Sequence, residues 1–275
     1  MRLPAYATAP ERIWHWALRL ICGLVLLFLA LPMAAVIPLS FNGEPFFAYP
    51  IHVFSMRWYN AVLASDSWRH AALNSLIVAV CTTVLSLLLG TSAAIGLNRS
   101  NFRFKPVIMG FLISPMIVPV VIIAVGIYFF FAKLDLVSTY VGLVLAHSAL
   151  ATPFVVIAVT ATLAGFDHNL VRAGRGLGAS PLTVFFRVTM PIIMPGLVTA
   201  ALFAFITSFD EVVVTFFLAG IEQHTLPRQM WKGVREEINP SILAVACLLL
   251  ITSVTFLSLL EWTRRRNRRL RGLDT

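Results

Sequence analysis

PVIMGFLISPMIVPVVIIAVGIYFFF, residues 106–131, runs from one end to the other without a charged side chain. Water is a poor solvent for such a run. A hydrocarbon core about 30 Å thick suits it, because each helical crossing takes about 20 apolar residues. Comparable apolar runs occupy about residues 18–41, 72–97, 141–164, 191–219 and 241–262. Each is long enough to cross once. In hydrocarbon every backbone amide and carbonyl needs a partner within the span, which a helix supplies by itself. A membrane barrel would instead read as short alternating segments. The pattern predicts an all-α integral membrane protein with six transmembrane helices.

Composition agrees. The chain is 59% hydrophobic and 12% charged, with a mean hydropathy of +0.88; an ordinary soluble domain is about 25% charged. Its formal charge of +9 does not point to nucleic acid, since the basic residues flank apolar runs and form no basic, aromatic-rich face. Cys22, Cys81 and Cys247 lie inside apolar runs with neither disulfide nor metal spacing. The amino-terminal run resembles a signal peptide in having Arg2, Arg12 and Arg19 at its start. From Leu18 to Phe41 it is too long for one, and it reads as a retained first span.

Lys and Arg are held in the cytoplasm, which orients the spans. With the amino terminus inside, the inner segments carry Arg2, Arg12, Arg19, Arg99, Arg103, Lys105, Arg172, Arg175, Arg187 and the cluster Arg264, Arg265, Arg266, Arg268, Arg269 and Arg271. Only Glu11, Asp167, Glu261 and Asp274 oppose them. The outer segments balance Arg57, Arg69, Lys133, Arg228, Lys232 and Arg235 against Glu44, Asp66, Asp135, Glu222, Glu236 and Glu237. Both termini are therefore expected in the cytoplasm, and residues 1–275 read as a single transmembrane domain with a basic tail at about 263–275.

Two outer loops are long. The first, about 42–71, holds Trp58, Tyr59 and Trp68, which suits a short helix in the membrane interface or anchors for the adjoining spans. The second, about 220–240, carries Trp231 among mixed charges. No phosphate-binding Gly-x-x-x-x-Gly-Lys-Ser/Thr run is present, so nucleotide-driven work would need another polypeptide. His15, His52, His70, His147, His168 and His224 miss zinc-ligand spacings, and no Gly-x-Ser-x-Gly elbow occurs. No catalytic residue and no metal site are expected.

The longest inner connection is GFDHNLVRAGRGLGASPLTVFFRVTMP, Gly165 to Pro191. Ser180 can cap a helix whose first position Pro181 fills, because proline gives up an amide that has no partner there. Gly178 can adopt the backbone that ends the preceding helix. Pro191 and Pro195 are expected to open the fifth span. The segment predicts two short amphipathic helices around a turn, a knob suited to docking a soluble partner or an amphipathic connection with none.

This segment resembles the cytoplasmic loop of ABC-importer permeases: Glu-Ala-Ala, three residues, Gly, nine residues, then Ile-x-Leu-Pro. Here Arg172-Ala173-Gly174, Gly178 and Val188-Thr189-Met190-Pro191 keep that spacing. MRWYNAVL from Met56, AALNSLIVA from Ala71 and SFDEVVVTFFLAG from Ser208 are similar to stretches of the second permease subunit of bacterial spermidine/putrescine importers. The resemblance implies a type I ABC importer permease fold. It also implies a heterodimeric partner permease, two ATPase subunits that bind ATP and Mg, and a periplasmic substrate-binding protein. Arg172, Ala173, Gly174, Gly178, Ala179, Ser180 and Pro181 would form the ATPase-coupling loop. Arg172 departs from the motif's Glu, so a carboxylate contact to the ATPase would be missing or come from the partner permease.

Asp210 and Glu211 fall within the fifth apolar run. Ionisable groups in a span usually face protein or water, and adjacent helical residues point about 100° apart. One acid can line a pathway while the other bonds within the bundle. An acidic patch would favour an amine over an anion, and Phe209 and Trp231 are candidates for stacking on a cation. The expected substrate is a polyamine such as putrescine or spermidine. Relatives of this architecture also carry γ-aminobutyrate, opines or aminophosphonates. An ion-coupled secondary transporter is the rival class, but such proteins often show paired halves with broken spans, and no convincing repeat is present.

Overall fold

In the computed structural model each apolar run folds largely as helix; residues 8–45, 50–99, 103–236 and 240–270 are described. Arg2, Glu237, Arg271 and Asp274 of the charge pattern, and the last five residues of the basic tail, lie outside them. The helices are α1 (Ala9–Ser40), α2 (Arg57–Ala64), α3 (Asp66–Arg99), α4 (Lys105–Ile113), α5 (Val120–Ala132) and α6 (Tyr140–Leu163). Then follow α7 (Asn169–Gly176), α8 (Pro181–Val184), α9 (Met190–Phe209), α10 (Val213–Leu218), α11 (Leu226–Glu236) and α12 (Ser241–Leu270). Contacts divide the chain into one unit of Met1–Ser65 with Gly233–Thr275 and another of Asp66–Lys232.

In the first unit, α1 and α2 both pack on α12. The short helix expected in the first outer loop is present as α2, but Trp58 and Tyr59 are buried in protein. Trp58 Nε1 donates to the Asn42 carbonyl at 2.7 Å, and the Tyr59 hydroxyl pairs with Ser40 Oγ at 2.6 Å. Burial of a ring whose polar atom has a partner removes the reason to sit at the lipid headgroups. A two-bond antiparallel bridge, Gly43 N to Val53 O and Ser55 N to Phe41 O, both 2.8 Å, ties the end of α1 to the segment that leads into α2.

The second unit is built on α3, α6 and α9, which pack pairwise on one another. Lipid is as apolar as leucine, so such helices associate by close packing at small residues. Ala94, Ala151, Ala200 and Ala204 are buried with Val155, Val159 and Ile193 in this seam. A Cβ at Gly90 would stand 2.7 Å from Val155, and one at Gly196 would collide with the Thr162 side chain. A neighbouring cluster joins α5 and α10 to α6 through Ala124, Phe131, Leu143, Val214 and Leu218.

Among the described residues four helices are long and apolar enough to cross: Pro10–Ser40, Asp66–Asn98, Tyr140–Leu163 and Pro181–Phe209. The run at 106–131, which as a continuous apolar stretch reads as one straight crossing, is instead the pair Lys105–Met116 and Val120–Ala132, bent by 100°. Pro119 lacks an amide and pushes Val118 out of the helical region. With the short 3₁₀ turn Ser114–Met116 before it, this breaks the run. Counting the pair as one span gives five; α12 adds an apolar stretch of Ser241–Thr255.

The fifth run also differs from expectation at both ends. Helix starts at Pro181, not at Pro191, and continues for 29 residues to Phe209. It passes Pro191 by a π-type step over Phe185–Thr189, in which the Met190 amide bonds Phe185 O. A widened turn accommodates the amides that Pro191 and Pro195 cannot donate. The helix then stops at Phe209, and α10 begins only at Val213.

Candidate functional site

At one end of the second unit, residues 165–189 form an ordered knob. The Asp167 carboxylate accepts from Asn169 N at 2.9 Å and starts α7. Its other end is closed by Gly178 at φ +82°, with Gly178 N on Arg175 O at 2.9 Å and Ala179 N on Gly174 O at 3.2 Å. These two bonds are the glycine-terminated helix end in which the last carbonyls gain partners. Ser180 Oγ then accepts from Thr183 N at 3.2 Å, capping α8 with Pro181 in its first turn. The cap, the proline and the left-handed glycine all occur where the sequence predicts them.

Gly174 brings the two arms together: a Cβ there would stand 3.1 Å from Val184, which is buried. Outside this contact the knob is open. Arg172, Ala173 and Ser180 are exposed, and so are Leu177 and Leu182, at 89% and 70%. The same end holds a small cavity lined by Ile95, Asn98, Leu163, Phe166, His168 and Thr189. Asn98 Nδ2 and His168 Nε2 pair across it at 3.3 Å, tying the end of α3 to the knob.

The opposite end of the unit is closed by polar clasps. Asn74 on α3 donates to the carbonyls of Glu222 and His224 at 2.7 and 3.0 Å and accepts from the Tyr140 hydroxyl at 2.8 Å. Ser75 Oγ accepts from Leu226 N at 2.7 Å, the start of α11. Arg228 donates to the carbonyls of Ala219 and Gly220 at 2.7 and 3.0 Å and lies 5.7 Å over the Phe216 ring. Burial pushes its guanidinium down from its ordinary value, and these contacts offset that cost.

Asp210 and Glu211 lie at the gap between α9 and α10 rather than on a continuous helix, and they do different things. Glu211 turns back on the chain, its Oε1 accepting from Val214 N at 2.9 Å and so capping α10. Asp210 ends α9 and is exposed. On the preceding turn the Phe205 and Phe209 rings stack at 5.5 Å and 16°. Trp231 lies on amphipathic α11, 47% exposed.

Sequence reasoning missed the residue that bridges this gap. His147, fully buried on α6, pairs through Nδ1 with Ser208 Oγ at 2.9 Å and through Nε2 with Thr215 Oγ1 at 3.2 Å. Thr215 in turn donates to the Glu211 carbonyl at 3.1 Å. The histidine is seven residues along α6 from Tyr140, about 10 Å at 1.5 Å per residue. The acidic gap therefore lies level with the half of α6 that begins at the clasped end. The only sequence signal for His147 was a lone imidazole inside an apolar run.

A family model described as "Binding-protein-dependent transport system inner membrane component" matches residues 86–269, which include both the knob and the gap. The spermidine/putrescine transport system permease protein PotC of Escherichia coli is 31% identical over 227 residues, covering 82% of this chain and 86% of PotC. The putrescine transport system permease protein PotI of the same organism is 31% identical over 256 residues, covering 90% and 91%. Among solved structures, a bacterial ABC transporter involved in the import of the acidic polysaccharide alginate has a chain similar in fold. It matches with a TM-score of 0.73 at 15% identity, covering 95% of this chain and 99% of the other.

Proposed function

Because this chain belongs to the family of binding-protein-dependent transport system inner membrane components, we propose that it is one permease subunit of an ATP-driven importer of polyamines, putrescine or spermidine. The chain is a transport subunit and not an enzyme, and ATP and Mg belong to a separate ATPase. Its working assembly has a second permease, two ATPase subunits and a periplasmic protein that delivers the substrate. Both termini lie in the cytoplasm, on the side of the basic flanks, and the knob at 165–189 faces the same side.

The observation that carries this reading is the knob itself. Its turn is internally satisfied, yet it presents Leu177 and Leu182 almost bare. Apolar side chains held exposed on an ordered turn at the end of a span are stabilised by a partner's cleft. Arg172, Ala173, Gly174, Gly178, Ala179, Ser180 and Pro181 form or flank that contact. The knob is continuous with the helix Pro181–Phe209, so a displacement imposed there passes along one helix to Phe209 and Asp210. Closure of the ATPase pair on ATP then favours one arrangement of the spans, and hydrolysis releases it. Transport follows only if the loaded binding protein favours that same arrangement.

Polyamine as substrate rests on the likeness to PotC and PotI, and on the exposed Asp210, which directly follows Phe209 of the Phe205–Phe209 stack. A carboxylate and aromatic faces together favour a cationic amine. The test is reconstitution in liposomes of the four-component assembly, followed by radiolabelled putrescine uptake. Uptake that needs ATP and the binding protein is expected, and Leu177→Asp is expected to abolish ATPase association. Uptake by this chain alone without ATP would reject the reading.

A further inference from the structure

We propose that His147 is a positioning residue that staples the α9–α10 gap shut and so holds the Asp210–Glu211 pair in the substrate pathway; the proposal rests on the pathway reading given above. The geometry is specific. Ser208 is two residues before Asp210 and Thr215 is four after Glu211, and one imidazole from a third helix reaches both, at 2.9 and 3.2 Å. No other side chain among the described residues bonds both edges of the gap.

The proton positions follow from the partners. Thr215 spends its hydroxyl proton on the Glu211 carbonyl, so toward His147 it acts as acceptor, and Nε2 of the neutral ring carries the hydrogen. Nδ1 then accepts from the Ser208 hydroxyl. A single directed chain runs Ser208, His147, Thr215, Glu211, with every donor used. Its last link fixes the Glu211 main chain, while the Glu211 carboxylate fixes Val214 N. A helix that stops at Phe209 and restarts at Val213 has no ladder of its own across Asp210–Val212. The imidazole supplies the missing cross-tie from outside.

The ring does not reach the substrate; it acts through the two acids. A purely packing role for His147 would leave the gap's backbone as it is in a variant of similar volume, so the variants are chosen by hydrogen-bonding reach. His147→Asn keeps an amide near the Nδ1 position and can hold Ser208; His147→Gln keeps one near Nε2 and can hold Thr215. His147→Ala holds neither. If the alanine variant does not assemble, Ser208→Ala and Thr215→Val each remove one contact with the imidazole in place.

Two measurements on the full assembled transporter decide the matter. In hydrogen exchange, amides 210–216 are expected to exchange at least tenfold faster in His147→Gln and in Ser208→Ala than in the unsubstituted transporter. Unchanged exchange overturns the staple. In liposomes, uptake of radiolabelled putrescine at sub-saturating concentration is expected to fall about tenfold in His147→Gln. In a background of Asp210→Asn with Glu211→Gln, the same substitution is expected to cost less than a further twofold. A full tenfold loss in that background overturns positioning through the acids. If the acid substitutions alone leave uptake unchanged, the pathway reading falls and the staple loses its functional consequence, which the exchange result distinguishes from failure of the staple itself.

Discussion

Gly178 offers the sharpest test of the docking knob, because the two reasons for a glycine there predict different orders of damage. Its φ is +82°, a backbone that costs an L-residue about 1–2 kcal/mol. A Cβ built on it meets no atom of this chain within 4 Å, so within the subunit the whole penalty is conformational. By itself that shifts the folded turn by a factor of about 5–30. If backbone conformation is all that matters, Gly178→Asn is mildest, since Asn tolerates the left-handed region. Gly178→Ala is then intermediate and Gly178→Val worst. If the turn is seated in an ATPase cleft, side-chain size adds to the cost, and Asn becomes worse than Ala. The assay is binding-protein-stimulated ATP turnover together with putrescine uptake in the reconstituted assembly. Ala is expected to retain more coupled uptake than Asn, and Val to lose at least about tenfold while still inserting in the membrane. Unimpaired, fully coupled uptake in Gly178→Val would refute the docking assignment.

Further outcomes follow from the same geometry. Asp210→Asn is expected to raise the half-saturation for putrescine about fivefold, an exposed carboxylate contributing modestly to a screened pair; no change in either Asp210→Asn or Glu211→Gln would remove the acidic patch. Gly196→Val places side-chain atoms on Thr162 at the α6–α9 seam and is expected to destabilise the bundle by about 1–3 kcal/mol. A lower melting temperature in detergent checks this, with Gly126→Val, whose Cβ site is empty, as the control that should melt normally.

What the sequence made legible was chemistry that acts within a few residues. Ser180, Pro181 and Gly178 each act on their immediate neighbours, and the turn they predict is the turn found. The apolar runs are likewise local, and they specify helix wherever no residue interrupts the ladder. The bend at 106–131 carried a signal that the run length masked. Pro115 and Pro119, four residues apart, leave too few amides for a straight span. The π-type step at Phe185–Thr189 has the same origin in Pro191, and periodicity alone could not say whether the helix would begin at that proline or pass it.

The gap at Asp210–Val212 is harder to foresee, because SFDEVVV contains neither glycine nor proline. Its causes are spread along the chain. Glu211 caps the restart, His147 ties both edges from α6, and Ser138 N bonds Leu218 O at 2.8 Å beyond the far end of α10. Partners 61 and 68 residues away in the chain leave no mark on local propensity. Yet the gap decides how the acids divide. On an unbroken helix both carboxylates would bear a desolvation cost in the bundle, about 100° apart. Once the ladder is broken, the Glu211 carboxylate satisfies an otherwise orphaned amide, and Asp210 stands exposed directly after Phe209. The two adjacent acids are thus held differently because the helix ends before them, at Phe209. Asp210, the exposed acid, directly follows the helix that begins at Pro181 beside the knob.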